Sequence, residues 1–241
     1  MQITPYPKFE TVFENDTLKG IFYPLCKISN FGLAGEKSLF FVSHNGIWTD
    51  ENVKNDYNRS NFICFDLKNG KYSFKGDLTV YLGHRHAREV FNTLETDFKK
   101  HGNDYLSQRL KTDDYSANIV EKYEIQFGDL DPEYYLQAFY EFAINKLSFE
   151  KTGNFGAFNE IINDWGKTDK SPIVYEVKDG NTSGFEDIMA NRDYLFPESL
   201  KIDAYEKIGY IVGHEFFTDG NDTYLLFDDM GNTILCVDHY S

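Results

Sequence analysis

His84-Arg85-His86 comes closest, in residue type and spacing, to a metal site. In an extended segment an i, i+2 pair points both imidazoles to one face, as a metal requires. Glu89, His44, His214 or His239 would then have to supply a third ligand, and the implied activity is that of a metal-assisted hydrolase. The plainer reading ends a strand at Gly83-His84, before a helix whose first turn holds His86. Two histidines without an ordered third ligand favour that plainer reading, so neither a metal nor any other cofactor is expected.

Oxygen-rich segments point the same way. Asp219-Gly220-Asn221-Asp222 and Asp228-Asp229 suggest calcium, but the alternating ligands of an EF-hand are missing and Met230 stands where its twelfth-position Glu belongs. Solvated hairpin turns explain these residues better. No Gly-x-Gly-x-x-Gly follows a strand, and neither a phosphate loop nor a Gly-x-Ser-x-Gly elbow occurs. His214-Glu215 is followed by Phe216, Phe217 and Thr218, which is not His-Glu-x-x-His. No catalytic residue is assigned, and the chain is not read as an enzyme.

The elements that would position these groups run strand, helix, strand. Ser38–Ser43 is β-rich and leads to Asn45-Gly46. Asn61–Leu67 reaches Asn69-Gly70 and returns as Lys71–Phe74, a hairpin because Asn-Gly supplies the positive φ of a tight turn. Asp77–Leu82 reads as one more strand. Ala87, Val90, Phe91, Leu94 and Phe98 then recur at helical spacing, giving a helix over 86–101 that ends at His101-Gly102. Asp131-Pro132-Glu133 supplies a cap, a first-turn proline and an acidic first turn for a helix over 132–149, with Leu136, Phe139, Phe142, Ala143 and Leu147 inside. A short helix is expected over Phe158–Trp165, and another turn or two over Gly184–Asn191. Ile208–Val212, Thr223–Asp228 and Thr233–Asp238 close the chain as strands. The order predicts α+β, with antiparallel β-meanders at both ends and helices packed between. One unit spans 1–241, with 1–125 and 126–241 as alternative lobes.

One internal echo stands out. Val42-Ser43-His44-Asn45-Gly46-Ile47-Trp48-Thr49-Asp50-Glu51-Asn52 resembles Val212-Gly213-His214-Glu215-Phe216-Phe217-Thr218-Asp219-Gly220-Asn221 with one residue of gap. His aligns with His, aromatic with aromatic, and Thr-Asp-x-Asn with itself. Either two related meanders share a sheet, or hairpins merely share chemistry.

Composition narrows the partners. Over 241 residues, 39 acidic side chains oppose 24 basic ones, a net charge of −15 that repels phosphate backbones and anionic lipid. Nucleic acid and membrane surfaces are therefore not expected as partners, whereas a cationic protein is. The 17% aromatic share excludes wholesale disorder. Met1–Pro7 lacks the basic patch and apolar run of a secretory signal, and no stretch approaches the ~18 apolar residues of a membrane span. Cys26, Cys64 and Cys236 are scattered and read as free thiols, so a cytoplasmic location is expected.

The segment Ile208–Gly213, Asp219–Asp228 and Gly231–His239 resembles the closing meander of SUKH-type proteins. There a strand, a Gly/Asp/Asn-rich loop, an apolar strand, a turn and a final strand end in Asp-His, here Asp238-His239. The resemblance implies an immunity protein that binds and neutralises a cognate bacterial toxin. The expected contact surface is the loop side of the echoed meanders. Asp50, Glu51, Glu215, Asp219, Asp222, Asp228 and Asp229 would supply charge there, and Trp48, Phe217 and Tyr240 apolar anchorage. A scaffold protein without a toxin partner is the remaining alternative.

Overall fold

Strands β1 (Gln2–Pro5), β2 (Tyr23–Ser29) and β3 (Ser38–Ser43) form a three-stranded antiparallel meander. The computed structural model describes residues 1–29, 37–156, 171–177 and 182–239. A second, larger antiparallel sheet contains β4 (Asn58–Arg59), β5 (Phe62–Lys68), β6 (Lys71–Phe74), β7 (Val174–Glu176), β8 (Glu206–Ile211), β9 (Asp222–Asp228) and β10 (Thr233–His239). Its order is β4-β5-β10-β9-β8-β7, with β6 beside β5. Early and late strands meet in the β5–β10 ladder, where Cys64 opposes Leu235. The fold is α+β, with sheet from both ends of the chain and long helices from its middle.

Both faces of the large sheet are covered, which explains its nearly unbroken apolar strands. Ile63, Phe65, Leu225, Phe227, Ile234 and Cys236 join the main core with the small sheet and the long helices. The alternate residues Phe62, Cys64, Tyr224, Leu226, Leu235 and Val237 face a second core. Phe185 and Ile188 of α5 (Ser183–Ala190) close it with Phe196, Leu200 and Ile202. Each such side chain contributes roughly 1.5–3 kcal/mol on burial. Burial pushes the Cys64 thiol up to about 11 and Cys26 up to about 12, so these cysteines pack as small apolar residues.

After the short α1 (Phe9–Val12), helix α2 (His84–Gln108) starts at Gly83, whose φ of 72° suits glycine, and packs on α4 (Pro132–Thr152). It runs past the expected stop: Gly102 lies under the Phe98 ring, and Tyr105 and Leu106 carry the apolar side on toward the left-handed stop at Arg109, φ 53°. In α4 the Asp131 carboxylate accepts from the Tyr134 N–H at 3.1 Å, and Gly153 ends the helix at φ 68°. Ala87, Leu94, Leu136 and Phe139 are buried as the apolar spacing requires, while Phe91, Phe98 and Leu147 are only partly covered.

The structure departs from sequence expectation again on either side of α2. Residues 78–80 form a 3-10 turn instead of a strand, because the Asp77 carboxylate accepts from the Thr79 N–H at 2.8 Å. Helix α3 (Thr112–Lys122) was not foreseen, since it buries only Tyr115 and Ile119. The expected helix over Phe158–Trp165 lies outside the described residues. Among the described residues, no helix is long and apolar enough to cross a membrane.

Candidate functional site

The loop after β3, the turn at Ser60-Asn61, the start of α4, the β8–β9 loop and the end of β10 enclose a cleft of about 370 Å³. His44, Asn45, Trp48, Asn61, Tyr134, Asn221, Asp238 and His239 are among its lining residues, together with Leu195 of the short helix α6 (Arg192–Leu195). No lysine or arginine lines it among the described residues.

At its floor lie His44, 7% exposed, and Asp238. Position 44 directly follows β3, where the chain leaves the small sheet, and 238 sits near the end of β10, so the junction of the two sheets brings them together. Burial holds His44 down at about 4 against a bond to the Ser60 backbone, which favours the charged ring. His44 Nδ1 is buried without a hydrogen-bond partner. Burial pushes Asp238 up to about 7, opposed by the Thr223 hydroxyl, which donates to its Oδ1 at 3.1 Å. His44 Nδ1 and Asp238 Oδ2 stand 3.6 Å apart, too far for a direct hydrogen bond. His239 places Nε2 2.7 Å from the Asp187 carboxylate, and its buried Nδ1 is also unpartnered. The Asn61 amide nitrogen is a further unpartnered buried atom.

Trp48 forms part of the wall. Its indole stacks on Tyr134, with centroids 4.6 Å apart at 29°, and its Nε1–H points to Asp131 at 3.4 Å. The Tyr134 hydroxyl donates to Asn45 at 2.9 Å and ties the loop to α4. Trp48 nevertheless remains 53% exposed. Such a cleft offers hydrogen-bond acceptors at its floor and an aromatic surface at its mouth.

The expected contact residues divide. Trp48, Asp50 and Glu51 lie together on the β3–β4 loop; Asp50 Oδ1 accepts from the Asn52 backbone and side chain, each at 2.9 Å, and Glu51 is exposed. Exposed Asp219 takes a bond from Gln137 of α4 at 3.1 Å. Glu215 accepts from the Ile173 N–H at 3.2 Å. Two assignments are corrected. Phe217 is 1% exposed against Tyr23 and Phe142, so it is a core ring and offers no anchorage. Asp222 is buried, and its Oδ1 accepts from the Gly213 N–H at 3.2 Å, which closes the β8–β9 loop.

Asp228 and Asp229 sit at the far end of β9, about 20 Å from Asp222 at strand rise, and thus outside the cleft. Asp228 caps its own turn through the Gly231 N–H at 3.0 Å, and Asp229 pairs with Lys37. Tyr240 lies outside the described residues. The metal arrangement also changes: His84 and His86 are on a helix, where i, i+2 residues stand about 200° apart. His84 Nδ1 is 3.0 Å from the Tyr81 carbonyl, while His86 packs at Gly128. Among the described residues, no group of three or more His, Cys, Asp or Glu is placed to hold a metal ion.

Asp238 was missing from the expected contacts, though the Asp-His ending of β10 marked the position. Local sequence marks His44 as a candidate metal ligand and as a member of the echo, not as a partner of Asp238. Comparison with protein-family models, curated proteins and solved structures returns no match.

Proposed function

We propose that the protein binds a cationic protein partner and blocks it, acting as an immunity protein toward a cognate bacterial toxin. The observation that carries this reading is the cleft mouth. There a large exposed aromatic, Trp48, stands beside exposed Asp131 and on the same loop as Asp50 and Glu51. Exposed aromatics in a polar rim are the usual anchors of protein interfaces. The net charge of −15 supports it, because an acidic surface steers a basic partner and raises the association rate. The SUKH-like ending of β10 supports the toxin as that partner.

Co-expression tests the proposal. A toxin encoded beside this gene is expected to lose its toxicity and to co-purify with the protein. Continued growth arrest, with no complex recovered, overturns it. A complex with an unrelated protein and no rescue favours the scaffold alternative.

A further inference from the structure

The floor of the cleft sets acceptors face to face, His44 Nδ1 against Asp238 Oδ2. His44 Nδ1 is buried without a hydrogen-bond partner, and in the neutral ring with its proton on Nε2 it is a bare acceptor. Asp238 Oδ2, the other acceptor, lies 3.6 Å away. In its neutral form His239, with Nε2–H given to Asp187, likewise leaves Nδ1 as an acceptor. Two acceptors facing each other across a gap repel unless a hydrogen-bond donor enters between them. Buried unpaired acceptors cost roughly 1–3 kcal/mol each, which a ligand would recover.

Resting on the immunity reading, we propose that the cleft receives an arginine side chain of the partner protein, with Asp238 as its counter-ion, His44 Nδ1 as a second acceptor and Trp48 as the surface on which the guanidinium stacks. A guanidinium suits this set better than an ammonium, since it presents five N–H donors in one plane and lies flat on an indole. The absence of lysine and arginine from the lining leaves that charge unopposed. The Asn61 amide nitrogen is an orphaned donor in the lining, and a backbone carbonyl of the entering segment would satisfy it.

The groups around Asp238 fix the pH dependence. They are His44 just after β3, the Thr223 hydroxyl from β9, the Tyr81 phenol, buried Cys236 and, next in the chain, His239 with its Asp187 partner. All but Asp187 are neutral when the imidazoles are unprotonated. Asp238 ionises near pH 7, so a cation should bind about tenfold more tightly at pH 8 than at pH 6.

The test needs no toxin. Arginine amide is titrated into the protein at pH 8 and pH 6, following the Trp48 indole N–H and the His44 ring by NMR. Lysine amide, citrulline amide and methyl glucoside serve as comparison ligands. Saturable arginine-amide binding is expected, about tenfold weaker at pH 6, weaker for lysine amide and absent for the uncharged pair. It should fall at least tenfold in Asp238→Asn, whose shape is conserved, and also in Trp48→Ala, whose side chain is 53% exposed. No saturable shift, equal binding of citrulline amide or methyl glucoside, or full retention in Asp238→Asn overturns the proposal. An acetylated Gly-Arg-Gly amide should bind at least as well as arginine amide, whereas preference for free arginine would assign the site to the amino acid and reject the partner. Loss of toxin rescue with arginine binding intact would reject the immunity reading alone.

Discussion

The loops after β3 and after β8 carry the same residue types in the same order, and the fold turns them in opposite directions. His44 is buried at the cleft floor, whereas His214 is exposed with Nδ1 2.8 Å from the Thr218 carbonyl. Ile47 goes inward and Trp48 outward, while Phe216 and Phe217 both go inward. The difference originates in α4. Buried Glu141 accepts from the Thr218 N–H at 2.7 Å and from its hydroxyl at 2.6 Å, which draws the second loop down onto the helix. The first loop is held near the helix start, by the Tyr134 hydroxyl on Asn45 and by the Trp48–Tyr134 stack, so its aromatic stays at the surface. A shared local string therefore fixes turn chemistry, while the neighbouring helix decides which side chain becomes core and which becomes contact surface.

The strongest way to break this comparison is to truncate the buried ring. Phe217→Ala should lose about 3–5 kcal/mol of unfolding free energy, because it opens a cavity between Tyr23 and Phe142. Urea unfolding reads this directly. A loss no larger than that of Trp48→Ala would mean that the two aromatics are equivalent after all.

The second test concerns charge at the cleft floor. Asp238 is raised from 3.8 to about 7, so between those pH values the unfolded chain releases a proton that the fold retains. Stability contributed by this group is full below pH 3.8 and is lost as pH rises to 7. His44, lowered from 6.5 to about 4, works with the opposite sign: its contribution is lost as pH falls from 6.5 to 4. The two largely cancel between pH 4 and 6.5. Asp238→Asn should therefore be more stable than the wild type at pH 8, by roughly 2–4 kcal/mol, and equal to it near pH 4. Its own stability should rise between pH 4 and 6.5 as the His44 contribution emerges. A variant less stable than the wild type at pH 8 would show that the carboxylate is favourably solvated or paired.

These outcomes also mark what the sequence could and could not announce. Asn69-Gly70, the Asp131-Pro132 cap and the Leu136/Phe139 stripe act within a turn or two of chain, and the structure follows them. Asp77–Leu82 had the composition of a strand, yet one capping carboxylate coiled it. Helix α3 hid its period because its outer face is polar and only Tyr115 and Ile119 go inside. In the site, Trp48 and the acidic loop beside it could be read from local pattern. The His44–Asp238 pairing could not, since it joins the residue that follows a strand of one sheet to a strand of the other, at opposite ends of the chain. Nor could any local rule separate Trp48 from Phe217, because the choice is made by Glu141 on another element.

A smaller effect is expected where the echo pairs Ser43 with Gly213. At Gly213 an added Cβ would collide with the Asn221 carbonyl oxygen, which is rigid backbone of its own loop. Gly213→Ser should cost roughly 1–3 kcal/mol through forced backbone movement. It should also loosen the Asp222 bond to the Gly213 N–H, read as faster amide exchange over residues 213–222. Unchanged stability would show that the second loop has the same room as the first.

The smallest effect on stability is expected at the residue of greatest proposed consequence. Trp48 leaves more than half its surface in solvent, so Trp48→Ala removes little buried area. What it does lose is one offset stack on Tyr134 and a long bond to Asp131. Exposed aromatic pairs of this kind are worth about 0.5–1.5 kcal/mol, and the unfolding free energy should fall by no more than that. Partner binding should respond differently. If Trp48 anchors the interface, its loss should speed dissociation by tenfold or more and leave association nearly unchanged. Reversing Asp50 or Glu51 to lysine should slow association instead, with an effect that fades as salt is added. Stopped-flow measurements on the two kinds of variant separate an aromatic anchor from a steering rim. A Trp48→Ala variant that dissociates at the wild-type rate would remove the anchor and leave only the steering.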